Sequence, residues 1–342
     1  MTQAAAASTE TKDNNRAWPQ LLAQYRKPKP VRSIVEIAVT TLPFAALWAL
    51  SAVLVLNGNW WGLLFTVPAA GFLVRLFILQ HDCGHGTLFA HRGLNDWIGR
   101  LMGIFTLTPY DYWRRTHAVH HASSGNLDRR GIGDVETLTV QEYRGLSRWG
   151  KVRYRLYRNP LILFGLGPAW LFVCQYRLPF GLMRAGARPW VSTLATNLGI
   201  VFPIALMIWL VGWQTFLIVQ VPITLMAATA GVWLFYIQHQ FEDTHWSSDG
   251  EWNFQHAALH GSSHYDLPKP LQWMTGNIGI HHVHHLAAKI PFYRLPEVLE
   301  DFPELKTMSR ITLLESLKCV KLVLWDESTK RLVSFREERA AR

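Results

Sequence analysis

IVEIAVTTLPFAALWALSAVLVLNGNWWGLLFTVPAAGFLVRLFILQHDCGH, residues 34–85, reads as two apolar helices that end in a pair of histidines. About 20 apolar residues cross the hydrocarbon of a bilayer. The runs 34–56 and 60–79 both meet that length, and only Asn57, Gly58 and Asn59 separate them. They predict a tight helical hairpin. Glu36 and Arg75 interrupt it. Glu36 lies near a helix end and is expected to reach the interface along its stem. Arg75 is expected near the opposite interface.

Further along, runs 191–210 and 213–236 meet at Gly212 and predict a second hairpin. Paired runs of this length are rare in soluble domains. Residues 160–181 are apolar too, but Gly165, Gly167, Pro168 and Pro179 break them. They are read as interfacial or half-buried, because a fifth span would put the histidine motifs on opposite sides.

Composition agrees with a membrane protein. Of the 342 residues 49% are hydrophobic and only 17% charged, against about 25% charged in an average soluble domain. Disorder needs the reverse balance. Three cysteines exclude a disulfide scaffold. The net charge of +10 has a topological explanation. Neither hairpin turn carries Lys or Arg, whereas residues 1–33 hold six, 80–190 fifteen and 239–342 twelve. This distribution predicts that both termini and the middle segment face the cytoplasm. It leaves no need for a nucleic acid partner. Residues 1–20 are polar, with no apolar run of a signal peptide. The expected organisation is a polar tail and lead-in at 1–33, with 1–17 disordered, a membrane domain at 34–297, and a cytoplasmic segment at 298–342 in which about 303–324 packs under the cap or on the membrane.

All 15 histidines lie between His81 and His285, outside the apolar centres of the runs. His81 and His85 are four apart. His117, His120 and His121 stand at i, i+3, i+4, and His281, His284 and His285 repeat that spacing. On a helix these offsets share one face, so each cluster presents imidazoles to one point. Imidazole suits Fe, Zn, Cu and Ni. Eight of them exceed the needs of one ion, so two ions fit better. A zincin would carry HExxH, which is absent. Soluble di-iron bundles rely on carboxylates and two ExxH motifs; Glu242 and His245 form the single such spacing noted and are read as coincidence. An all-histidine pair of irons remains. A metal transporter or sensor would place ionisable groups within its spans, where none of these histidines falls.

The motifs QHDCGHGTLF (80–89), PYDYWRRTHAVHHASSGNLDRRGIGDVETLT (109–139), YIQHQFEDTHW (236–246) and NIGIHHVHHLAAKIPFYRLPE (277–297), with two hairpins between them, resemble the membrane fatty acid desaturase family. The resemblance covers about residues 32–297 and is strongest to the bacterial acyl-lipid omega-6 (delta-12) type. It implies an all-α integral membrane fold, with four spans in two hairpins under a cytoplasmic helical cap that holds a di-iron site. It also implies ligands at His81, His85, His117, His120, His121, His281, His284 and His285, with His239 matching a further family ligand. His282 is extra to the family's third box and is read as an exposed side chain or an outer hydrogen-bond donor. Asp82, Asp111, Asn126, Asp128 and Asp134 lie close enough in sequence to the boxes to hold a ligand's second N–H. Loop 242–264 is expected to cover the site, and His91, His245, His256, His260 and His264 are read as polar loop residues. Trp113, Phe235 and Tyr236 are candidates for an acyl tunnel.

The implied reaction is O2-dependent cis desaturation of a lipid-linked fatty acyl chain in the bacterial inner membrane. A pair of non-haem irons would use O2 as co-substrate. Two of the four electrons come from the C–H bonds and two from outside. No haem, Fe–S or dinucleotide motif occurs here, so a separate ferredoxin or cytochrome b5-like carrier is expected. A carotenoid ketolase or hydroxylase, or an alkane hydroxylase, would use a similar three-box centre.

Overall fold

A computed structural model describes residues 17–131 and 133–341; the tail expected to be disordered lies almost wholly outside them. Among the described residues, four helices have the length and apolarity to span a membrane. Helix α1 is Pro30–Leu56. Pro30 suits its first turn, where the missing N–H costs no hydrogen bond. Gly58, at φ 74°, turns the chain back. A 3-10 segment, Trp60–Phe65, leads into helix α2, Thr66–His85. Gly86 stops α2 directly after His85: it sits at φ 72°, and the N–H of Thr87 returns to the Asp82 carbonyl. The second hairpin joins helix α5, Ala187–Val211, to helix α6, Trp213–His239, through Gly212 at φ 78°.

The spans are not equivalent. More than half of the α2 window is buried, against 6% for α5, so α2 is the central helix and α5 exposes most of its apolar surface. Both hairpins start and finish at the same end of the bundle, where α2 and α6 run on past their apolar stretches. The expected spans stopped at 79 and 236; the extra turns bring His81, His85 and His239 onto helical scaffold.

Between the hairpins lie helix α3, Arg92–Phe105, and helix α4, Tyr110–Ser123. The Tyr110 hydroxyl donates to the Cys83 carbonyl at 2.8 Å, fixing α4 against α2. A broken helical stretch follows from Ile162 to Arg177. It is none of the four span-length helices. Phe164 packs on Trp233 and Tyr236 of α6, while Leu161, Leu166 and Trp170 stay exposed. After α6 come the short helices α7, Phe254–His260, and α8, His281–Leu286. Among the described residues, five strands of two or three residues complete a mostly helical fold. His264–Asp266 pairs in parallel with Arg310–Thr312, and Leu324–Asp326 lies between Leu138–Thr139 and Arg331–Val333. The chain after 298 thus wraps back onto the cap, with Leu299 and Leu305 buried against Ile280 and Val283.

Glu36 and Arg75 correct the sequence reading. They do not lie at opposite ends: both are 1% exposed and ion-paired to each other, and Glu36 also pairs with Arg32 at 2.6 Å. Arg75 also donates to Thr40 Oγ1 at 3.2 Å and to the Trp273 carbonyl, and lies over the Trp273 ring. The pair joins α1, α2 and the 269–274 helix just below the histidines.

Candidate metal centre

Nine histidines converge in two groups. The first holds His81, His85, His117, His121 and His284; the second holds His120, His239, His281 and His285. Within each group one ligand atom per residue lies within 4.8 Å of every other. The nine are the residues expected from the motifs, but the grouping does not follow the boxes. The second box gives His117 and His121 to one group and His120 to the other. The third gives His284 to the first and His281 and His285 to the second. Helix phase explains the split. Side chains four apart stay on one face, while that three apart swings about 60° the other way. His121 and His285, from different groups, stack at 4.2 Å, so the groups share a wall.

The nitrogen geometry fits a cation. Nε2 of His85 lies 3.3 Å from that of His81 and 3.1 Å from that of His117; His121 Nε2 is 3.1 Å from those of His117 and His284. In the second group His239 Nε2 lies 3.1 Å from those of His120 and His281, and His285 Nε2 is 3.0 Å from that of His281. The opposite ring nitrogens are turned outward. His120 Nδ1 meets Asp134, His239 Nδ1 meets the Gly261 carbonyl at 3.2 Å, and His81 Nδ1 meets Asp82 at 3.3 Å. Each outward nitrogen facing an oxygen must carry the proton, which leaves a lone pair on the inward Nε2. Facing lone pairs repel unless a cation sits between them.

Electrostatics agree. Burial, then repulsion from neighbouring imidazoles, holds His117, His121, His281, His284 and His285 well below the ordinary histidine range. They are neutral at pH 7, as metal ligands must be. Asp134 is lowered too, but this keeps it charged. Burial disfavours its charge, but His120 outweighs that by attraction and a hydrogen bond, so the carboxyl lies below its usual value. The second group is fully buried, whereas His85, His117 and His121 of the first are half-buried.

Of the five outer candidates, two face a histidine. Asp134 holds His120. Asp82 touches His81, and its other oxygen accepts the Phe292 N–H at 2.7 Å, drawing the 292 segment over α2. Three do not. Asp111 is held by Arg100 at 2.8 Å. Asn126 accepts from the N–H groups of Asp128 and Arg129 and donates to Asp249. Asp128 accepts from the Asp249 N–H at 2.7 Å. These three shape loops. His282 is neither exposed nor turned toward the groups. It is fully buried, with Nε2 2.9 Å from the Leu305 carbonyl; burial, then repulsion from His264, pushes it down to about 3.

Trp113 stacks on His117 at 4.6 Å, and Phe235 lies 5.1 Å from the His120 ring. Tyr236 points elsewhere: its hydroxyl donates to the Leu322 carbonyl at 2.9 Å, so it anchors the C-terminal segment. From loop 242–264 the Gly261 carbonyl reaches His239. A backbone acceptor carries no residue-specific signal, so no motif pointed to it.

Residues 58–311 match the family model described as fatty acid desaturase. A protein of Bacillus subtilis (strain 168) named fatty acid desaturase is 46% identical over 315 residues, covering 92% of this chain and 89% of that protein. The sn-1 acyl-lipid omega-3 desaturase (ferredoxin) of a Synechocystis strain is 29% identical, covering 80% and 76%. The sn-1 oleoyl-lipid 12-desaturase of Anabaena variabilis is 24% identical, covering 72% and 73%. With four span-length helices and nine histidines in two metal-sized groups, the chain belongs to the fatty acid desaturase family, as a membrane oxidoreductase with a histidine-built di-metal site.

Proposed function

We propose that the protein introduces a cis double bond into lipid-linked acyl chains, at the delta-12 (omega-6) position, with two non-haem irons and O2. One observation carries this reading: nine imidazoles converge in two adjoining metal-sized groups at one end of a membrane bundle. His81, His85, His117, His121 and His284 would hold one iron, and His120, His239, His281 and His285 the other. Irons there supply the O2 reduction that removes hydrogen from an unactivated C–H bond, which no acid or base side chain can do at neutral pH.

The protein's own part is positional. Asp134, Asp82 and the Gly261 carbonyl fix ring orientation and tautomer. Trp113 and Phe235 present apolar faces beside His117 and His120, where an acyl chain rising from the bilayer would lie. Burial of the second group keeps bulk water off the reacting carbons. The histidines and both termini face the cytoplasm of a bacterial inner membrane, in line with the basic segments at that end. Two electrons come from a separate ferredoxin or cytochrome b5-like carrier; one relative's name specifies ferredoxin. The relatives' names include both omega-3 and 12-desaturases, so the delta-12 assignment rests on motif resemblance.

Fatty acid analysis of a host expressing the chain tests this, beside His120→Ala. A new dienoic acid, absent with the variant, is expected. Altered pigments or terminal alcohols, or full product from His120→Ala, would overturn it.

A further inference from the structure

His282 and His264 belong to neither metal group, yet both are buried, at 0% and 4% exposure. Their rings lie 5.5 Å apart. Each faces a carbonyl of one short turn, Pro303–Lys306. His282 Nε2 is 2.9 Å from the Leu305 carbonyl oxygen, and His264 Nδ1 is 2.7 Å from that of Lys306. A carbonyl oxygen only accepts, so both ring nitrogens donate. Two neighbouring histidines thus hold two successive carbonyls of a segment that carries no motif.

Helix α8 needs such support. It carries three of the nine converging histidines on six residues, His281–Leu286. A helix shorter than about 12 residues is marginal on its own, so outside contacts must set its place. At its start the N–H groups of His281 and His282 both donate to the Ser263 carbonyl, at 3.1 and 3.2 Å. Ser263 is itself tied to the end of α6: its N–H donates to the Gln238 carbonyl at 2.9 Å and its hydroxyl to that of Ile237 at 3.1 Å. One residue on, the His264 N–H donates to the Ser309 carbonyl at 2.9 Å. Leu305 is fully buried in the same apolar cluster as Ile280 and Val283. His282 stands about 100° round the helix from His281, so α8 is tied down from a side that faces neither metal group.

We propose that His282 and His264 are positioning residues: they lock the 303–306 turn onto α8 and so hold His281, His284 and His285 where they meet the other imidazoles. The inference rests on the di-metal reading above and adds the C-terminal segment to the support of that centre. The extra histidine of HHVHH (281–285) is then a fixed donor behind the ligands.

The test is iron analysis and thermal melting of full-length, iron-loaded protein in detergent, after dialysis against a chelator. His282→Leu removes the donor, and iron in the group of His120, His239, His281 and His285 should bind about 10-fold more weakly, the low end for losing a partner that acts on a ligand. His282→Gln keeps an N–H at similar reach and should restore wild-type iron. Tyr154→Phe is the control. It removes a buried donor to the Val323 carbonyl at 2.6 Å, on the same C-terminal segment but away from α8, and should lower the melting temperature with iron retained. Hydrogen exchange of the wild type needs no variant: removing iron should speed exchange at 303–308 together with 281–287 and leave 323–326 unchanged. His282→Leu keeping iron as Tyr154→Phe does, His282→Gln losing it as His282→Leu does, or exchange at 303–308 indifferent to iron would overturn the proposal. Wild type that binds no iron would overturn the di-metal reading itself, and this inference with it.

Discussion

Replacing Asp134 by Asn should cost the four-histidine group about 10–100-fold in iron affinity, the range for losing an outer partner of a ligand. That equals about 1.4–2.7 kcal/mol. Asp134 meets His120 Nδ1, and its other oxygen accepts weakly from the Gly131 N–H at 3.4 Å. Asn keeps the size and one carbonyl acceptor, so the His120 tautomer survives while the charge that makes the imidazole a stronger donor is lost. Asp134→Ala should be worse by a further ~1–3 kcal/mol, because it strands a buried N–H. Asp111→Asn is the control: its carboxylate faces Arg100 and no histidine, so iron affinity should stay within about twofold. Competition with a graded series of chelators, followed by iron analysis, gives the affinities. Equal losses in the Asp134 and Asp111 variants, or none in Asp134→Ala, would refute the reasoning.

Glu36→Gln removes the only carboxylate paired with buried Arg75 among the described residues, and should destabilise the fold by about 3–5 kcal/mol; thermal melts in detergent measure it, and Glu36→Gln combined with Arg75→Met should recover most of the loss. Gly279→Ala puts a Cβ 2.4 Å from the Tyr265 carbonyl oxygen, two residues before His281. Backbone cannot yield as a side chain can, so a loss of at least ~1–3 kcal/mol is expected, while Gly250→Ala, with open space around it, should melt like wild type. The metal-free protein should be acid-labile. His117, His121, His281, His284 and His285 stay neutral when folded and take up protons near pH 6.5 when unfolded. Stability is therefore whole above pH 6.5 and falls below it, by up to about 1.4 kcal/mol per histidine per pH unit; denaturant melts at pH 7.5 and 5.5 that coincide would contradict this.

The spans and the nine converging histidines were legible because their signals are local. An apolar run needs no partner to be recognised, and i, i+4 spacing fixes a shared face before the fold is known. What stayed hidden depends on which distant segments meet. Asp111, Asn126, Asp128 and Asp134 all lie near the second box in sequence, yet only Asp134 reaches a histidine, because the chain loops back over α4 at that point. The buried pairing of Glu36 with Arg75 was hidden because the two stand 39 positions apart on different helices. For His282 the signal was there in part. Helix phase turns it about 100° from His281, away from the other three, but its burial under Leu305 comes from a segment with no motif. Tyr236 precedes the ligand His239 by three positions, and its contacts with the C-terminal segment were invisible without the wrap of residues 303–324.

Iron-edge anomalous diffraction from anaerobically reduced protein, with metal analysis of the same crystals, addresses the di-metal centre most directly. Two peaks are expected, one within His81, His85, His117, His121 and His284 and one within His120, His239, His281 and His285, with close to two irons per chain. A single peak, or iron bound away from these imidazoles, would contradict the centre described above.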